Sequence, residues 1–141
     1  MKTQTSHPPS RDKAADSEKI TINLGFVDLG QIDLLVSEGF YGNRTDLIRT
    51  AIRNQLGQHA ETVKQAVARK TLVLGLQHFS ADDLRAVKAA KQKLHIRVLG
   101  LASIAADVSP ELALDTIESL DVLGALHASP AVKAALATLQ R

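Results

Sequence analysis

The chain has no cysteine and no tryptophan, and aromatic side chains make up only 3% of its 141 residues. Without cysteine there is no disulfide framework, no thiolate zinc site and no cysteine nucleophile; the absence also fits a reducing compartment. So few flat side chains argue against a stacking platform for single-stranded nucleic acid. No apolar run approaches the ~18 residues that a membrane-spanning helix needs, so no membrane partner is expected. The opening MKTQTSHPPSRDKAADSE has no apolar segment of the kind a secretory signal carries. Its prolines, serines and mixed charges read as a disordered arm over residues 1–17, and the protein is expected in the cytoplasm. A strong charge of one sign is lacking too. The formal net charge is +2, with ten Lys and Arg against eight Asp and Glu up to Lys70 and seven against seven after it. That balance licenses no claim about a polyanionic partner, so any such claim must come from placement.

What the chain does have begins with EKITINL, Glu18 to Leu24. Ile20, Ile22 and Leu24 alternate with Lys19, Thr21 and Asn23, the period of a strand covered on one face. No second strand-like stretch follows before Val73, and a lone strand leaves its N–H and C=O groups unpaired. In DLGQIDLLVSEGF, Asp28 is the expected N-cap, with Gln31 placed to complete a capping box. Leu29, Ile32, Leu35 and Val36 recur at helical spacing, and Gly39 followed by Phe40 has the chemistry of a left-handed stop. YGNRTDLIRTAIRNQL announces a second helix. Gly42 permits the turn, Asn43 caps, and Asp46 complements the positive end, while Leu47, Ile48, Ala51, Ile52 and Leu56 form the apolar stripe. Arg49 and Arg53 fall on another face, expected to be solvated or ion-paired. Gly57 marks an end or a kink, and 58–70 reads as a linker helix.

The remainder repeats itself. VLGL at Val73–Leu76 returns at Val98–Leu101, and VLGA follows at Val122–Ala125. After each comes a helix start of one chemistry: Ser80 with Asp83 three residues on, Ser109-Pro110, and Ser129-Pro130. The buried helical positions expected to follow are Leu84 and Val87, then Leu112 and Ile117, then Val132, Leu136 and Leu139. The unit is a buried strand, a turn and a helix, made three times, which predicts parallel strands stacked over a shared core, as in a solenoid. The period is that of leucine-rich repeats, but their Asn ladder and spaced leucines are absent, so the likeness is one of architecture.

A strand, two helices and no strand partner in the same chain have a simple solution in a second copy. Two chains about a two-fold axis pair their strands antiparallel and place Ile20, Ile22 and Leu24, with Leu47, Ile48 and Ile52, in a common core. The polar faces then form one ribbon of a width that fits the major groove of DNA. Here ITINL, a first helix and NRTDLIRTAIRNQL resemble the ribbon-helix-helix proteins of the MetJ, Arc and CopG type, over Lys19 to about Leu56. The resemblance implies that Lys19, Thr21 and Asn23 read bases and that Asn43, Arg44 and Thr45, at the amino end of the second helix, hold a phosphate of double-stranded DNA. The chemistry agrees. Lys donates to guanine, Asn pairs with adenine and Thr can touch a thymine methyl, while N–H groups at a helix start bind phosphate. The sequence departs from the family at Gly25-Phe26-Val27, more apolar than the usual short polar turn.

Nothing suggests catalysis. Ser80, Ser109 and Ser129 serve as caps, Asp82 and Asp83 suit a first helical turn, and no glycine-rich phosphate loop is present. His78 and His127 hold equivalent places in the first and third repeats, but two strand spacings apart they are too distant for one ion; His59 and His95 read as surface residues. No enzyme activity, metal or cofactor is expected. The fold class expected is α+β: an amino-terminal ribbon-helix-helix unit over 18–57 forming an intertwined homodimer, then a β-α repeat domain over 71–141 with a parallel sheet. The last repeat is apolar and weakly charged, a poor cap, so Val122, Leu123, Val132, Leu136 and Leu139 are expected where dimers assemble into higher oligomers. The function expected is sequence-specific regulation of transcription as a nucleoid-associated repressor. The other readings are an antitoxin whose tail neutralises a toxin, and an architectural or partition protein that coats DNA.

Overall fold

The structure, a computed structural model, describes residues 17–140; the expected arm lies outside them except for Ser17. Two compact units divide between Gln58 and His59.

In the amino-terminal unit, residues 17–25 form no helix, and the expected strand pairs with no other strand among the described residues. Helix α1 spans Phe26–Ser37 and starts earlier than expected. Gly25, not Asp28, is the N-cap, extended at φ −64° and ψ 152° and without a side-chain cap bond. The apolar pair Phe26-Val27 thus joins the first turn, and Asp28 becomes its third residue, where a carboxylate still complements the helix dipole. The stop is as expected. Gly39 is left-handed at φ 85°; its N–H donates to the Val36 carbonyl and that of Phe40 to Leu35, the paired bonds of a Schellman ending. Helix α2 spans Arg44–Gln58. Asn43 caps it, its Oδ1 accepting the Asp46 N–H at 2.8 Å. Gly57 lies inside the last turn, and the break falls at His59. Neither helix buries a single residue. Leu29, Ile32, Val36, Leu47 and Ile48 are partly covered, whereas Ile20, Ile22, Leu24, Ile52 and Leu56 are exposed.

In the second unit, helix α3, Ala60–Lys70, ends on a left-handed Thr71. Three β-α units follow: β1 Val73–Phe79 and α4 Ala81–Ala89; β2 Leu94–Ile104 and α5 Pro110–Thr116; β3 Ile117–His127 and α6 Pro130–Leu136. The strands are parallel and lie in sequence order, β1-β2-β3. Val73 pairs with Val98 and Val98 with Val122, so the three VLG motifs sit side by side. Each helix start is built as its sequence suggests. Ser80 and Asp83 form a reciprocal capping box, and Ser109 and Ser129 accept the N–H groups of Leu112 and Val132. Two expected helical positions lie elsewhere. Ile117 is the extended first residue of β3, because α5 passes into the strand without a loop; Leu139 lies past the end of α6, in turns that bring Gln140 alongside Leu120. The core alternates along the strands, with Ile96, Val98, Ala102 and Ile104 of β2 and Leu120 and Val122 of β3 facing Leu84, Ala113, Val132 and Leu136 of the helices.

The glycines of the motif explain its repetition. Gly75, Gly100 and Gly124 form one column across the sheet, all at positive φ (118°, 140° and 120°). A Cβ on Gly100 would stand 2.2 Å from the Gly75 carbonyl oxygen, and one on Gly124 would stand 2.1 Å from that of Gly100. Each strand approaches the next through a bare Cα, so no other residue fits. At Gly75 nothing lies within 4 Å of that position. Gly100→Ala and Gly124→Ala are therefore expected to destabilise the unit by about 3 kcal/mol or more, through overlap added to strain. Gly75→Ala, with strain alone, should cost about 1–2 kcal/mol. Urea unfolding of the three variants checks the order; equal losses would contradict it.

Candidate nucleic-acid interface

Lys19, Thr21 and Asn23 are exposed, and so are Ile20 and Ile22, at 74% and 59%. In a paired strand their alternation would put the two sets on opposite sides. One side offers an ammonium, a hydroxyl and an amide; the other offers only hydrocarbon.

The start of α2 is the second part of the site. Gly42, left of the helix, leads into Asn43, whose side chain satisfies the N–H of Asp46. The N–H groups of Arg44 and Thr45, first and second in the helix, have no acceptor within it and point outward with the positive end of the dipole. Thr45 is exposed. Asp46 turns back to accept the Gly42 N–H at 2.9 Å, which fixes the turn before the helix. The Arg44 guanidinium is engaged in a manner the sequence did not suggest. Its Nε and Nη2 donate to the two carboxylate oxygens of Asp33, at 2.7 and 2.8 Å, a bidentate pair joining α1 to α2. Eleven residues separate the partners, so no helical spacing rule links them; only the geometry of the α1–α2 turn does. Arg49 and Arg53 are exposed farther along α2.

The other expected site residues lie in the second unit, with different fates. Val122, Val132 and Leu136 are buried to 8%, 0% and 0% exposure in its own core. They leave Leu123, 45% exposed, and the partly covered Leu139 as the surface members of the expected assembly patch. The last helix folds onto the sheet instead of leaving its apolar side open. His78 and His127 lie in one row of the sheet with Ser103 between them, and the Ser103 hydroxyl is 3.1 Å from His78 Nδ1. Among the described residues no group of three His, Cys, Asp or Glu could hold a metal ion. An open cleft of about 780 Å3 is lined by Lys70, His95 and Arg97 together with Glu118 and Asp121, charges of both signs. No helix of the described residues is long and apolar enough to cross a membrane.

The Asp33–Arg44 pair has a pH signature. The hydrogen bond from Arg44, aided by its charge, holds the Asp33 carboxyl below the ordinary carboxylate range, against a smaller opposing effect of burial. A carboxylate with a depressed pKa binds protons less readily folded than unfolded. Its contribution is present above the ordinary carboxylate range and disappears as the pH falls through the lowered folded value. Both side chains are about half exposed, so the effect is small and screened by salt. The Asp33→Asn variant should melt below the parent protein at neutral pH in low salt, and the gap should close on acidification. A gap independent of pH would assign the loss to something other than the ion pair.

The arrangement, a segment of alternating polar and apolar residues followed by two helices with a capped second start, has a counterpart among known families. The model of the Ribbon-Helix-Helix transcriptional regulator family matches residues 15–133. The match runs well past α2, through the first two β-α units and into α6. Comparison with curated proteins and with solved structures gives no match. The chain belongs to the ribbon-helix-helix transcriptional regulator family, and the match takes in its β-α units as well as its amino-terminal segment and two helices.

Proposed function

We propose that the protein is a repressor that binds a specific DNA sequence as an intertwined homodimer, with the paired segments Glu18–Leu24 of two chains lying in the major groove. The observation that carries this reading is that nothing in α1 or α2 is buried. A segment of some forty residues cannot hold a fold without a core. Ile20, Ile22, Leu24, Ile52 and Leu56 remain exposed in the single chain, and each contributes about 1.5–3 kcal/mol if covered completely. Antiparallel pairing with a second copy covers the apolar side of the segment, partners its backbone groups and leaves Lys19, Thr21 and Asn23 of both chains on the outer side.

In this reading Lys19, Thr21 and Asn23 make the base contacts. A DNA phosphate sits at the start of α2, held by the backbone N–H groups of Arg44 and Thr45 and by the Thr45 hydroxyl. Asn43 sets the turn that presents them. The Arg44 guanidinium adds its charge nearby while Asp33 fixes its direction. Occupying the groove is sufficient for repression and needs no further chemistry. The second unit supports this reading over an antitoxin, since it has a buried core of its own, with Leu84, Val98, Leu120 and Leu136 all at 0% exposure. A tail that folds only on its partner would have none. The small net charge of +2 disfavours a protein that coats DNA through phosphate contacts alone.

Selection of binding sites from random duplexes tests the proposal. The parent protein should enrich one symmetric sequence. Thr21→Ala with Asn23→Ala should lose the preference, each lost base contact being worth about 1–3 kcal/mol, and keep a weaker, salt-sensitive binding. An unchanged preference would remove these residues from the interface.

A further inference from the structure

The free edge of β1 is the least protected strand edge in the sheet. β1 reads VLGLQHF and holds no Lys, Arg, Asp, Glu or Pro. Edge strands of soluble proteins ordinarily carry such residues, or a bulge or a cover, because an open row of N–H and C=O groups pairs with any strand it meets. The charges of this sheet lie elsewhere, Arg97 on the central strand and Glu118 and Asp121 on β3. The β3 edge has a cover in part, since Gln140 bridges to Leu120. No strand or bridge pairs with the β1 edge among the described residues. Leu74 and Leu76 stand 70% and 61% exposed beside it, and Val73 on the other face is 42% exposed.

We propose that the β1 edge pairs antiparallel with the β1 edge of a second copy of this chain, making one six-stranded sheet from two three-stranded ones. Three observations select that occupant. An uncharged, half-apolar strand edge is satisfied by another of the same kind, which a second copy supplies in the same concentration. The two-fold axis falls at Leu76, the midpoint of Val73–Phe79, and sets Val73 against Phe79 and Leu76 against its own copy. Apolar residues then meet on both faces, and every residue of the strand finds an opposite. Extension in the other sense, β3 of one copy onto β1 of the next, would bring the charged outer side of α4, with Asp82, Arg85 and Lys88 exposed, against α6. It would also displace Gln140. Two-fold pairing leaves Gln140 in place, sets the outer side of α4 against its own antiparallel copy so that its acidic first turn meets a basic last turn, and closes instead of growing into a fibre.

A seven-residue edge buries far less than the ~800 Å2 per partner of a stable interface, so it forms when the two chains are already held close. The ribbon dimer proposed above would do that through effective concentration, and to this extent the inference rests on that reading. Within one dimer the pairing joins its two repeat units; between dimers it makes a tetramer.

The absence of cysteine makes the test clean. Leu76→Cys in the full chain should form a disulfide-linked dimer under mild oxidation, because facing residues of antiparallel strands have the Cα separation a disulfide needs. Leu123→Cys, equally on the sheet surface but on β3, should link at least ten-fold more slowly. Adding Leu74→Lys should suppress the Leu76→Cys linkage. Equal rates for the two cysteines would overturn the proposal. So would protection of β1 amides from hydrogen exchange that disappears when residues 1–16 are deleted, since the arm would then be the occupant. Sedimentation of an Ile20→Lys, Ile22→Lys chain keeps the two readings apart. If it remains as large as the parent while Leu76→Cys still links, the ribbon reading fails and the edge pairing stands. If it falls to a monomer and Leu76→Cys in the otherwise unchanged chain does not link, the edge pairing alone fails.

Discussion

The constraint on which the amino-terminal unit depends is the lack of anything to bury its apolar side chains. Burial of hydrocarbon is the largest favourable contribution to folding, and it must offset ~1–2 kcal/mol of backbone entropy for every residue ordered. From Ser17 to Gln58 no residue reaches a buried state. The hydrogen bonds there include the Schellman ending of α1, the Asn43 cap and the exposed Asp33–Arg44 pair. Such bonds shape helices but contribute only about 1 kcal/mol each, net. The hydrocarbon side of Ile20, Ile22 and Leu24 is therefore what links fold to function in the proposed dimer. The same pairing that covers it turns three small polar side chains into six on one ribbon.

The second unit is organised by the opposite circumstance, a core too close for side chains at one column. Parallel strands tolerate many registers if their faces are uniformly apolar. The VLG motifs remove that freedom, because Gly100 and Gly124 admit a neighbouring carbonyl where any Cβ would collide. A slip by one residue would drive Leu99 or Leu101 into that space. It would also turn the alternation of Ile96, Val98, Ala102 and Ile104 away from the helices. The capping serines follow five residues after Gly75 and Gly124 but nine after Gly100, so the steric requirement sets the register of the strands and not the length of the turns.

Much of this was legible in the sequence, and the exceptions have a common cause. The Ser-Pro and Ser-Asp pairs marked their helices, the VLG repeats marked their strands, and Gly39 ended α1 as its neighbours suggested. Asp28 failed as a cap because Gly25, three residues earlier, can take the extended cap conformation, and Phe26 and Val27 carry no signal against helix. Ile117 belongs to the strand for a reason the spacing contains: it stands five residues after Leu112, off the helical period, and a β-branched residue is well suited to open a strand. Val122, Val132 and Leu136 were correctly read as apolar, but composition cannot say whether a terminal repeat closes on itself or on a neighbour. The Asp33–Arg44 pair was not visible at all. Contacts of that kind depend on where a turn sends the chain, and no local pattern encodes it.

That pair bears on how the proposed site would hold DNA. A guanidinium bound through two nitrogens to one carboxylate has given up the fork that would grip a phosphate, and Asp33 brings a negative charge to the same neighbourhood. Both effects shift the phosphate-binding burden onto the neutral N–H groups of Arg44 and Thr45. Those act through direction and dipole and release no counterion of their own. A site built this way favours geometry over bulk attraction: it holds a phosphate strongly only where the helix start meets the backbone at the correct angle. With a chain of formal charge +2, nonspecific attraction to the duplex is weak from the outset. In the proposed dimer, discrimination between sequences would then fall on Lys19, Thr21 and Asn23, with the two helix starts setting their position along the groove.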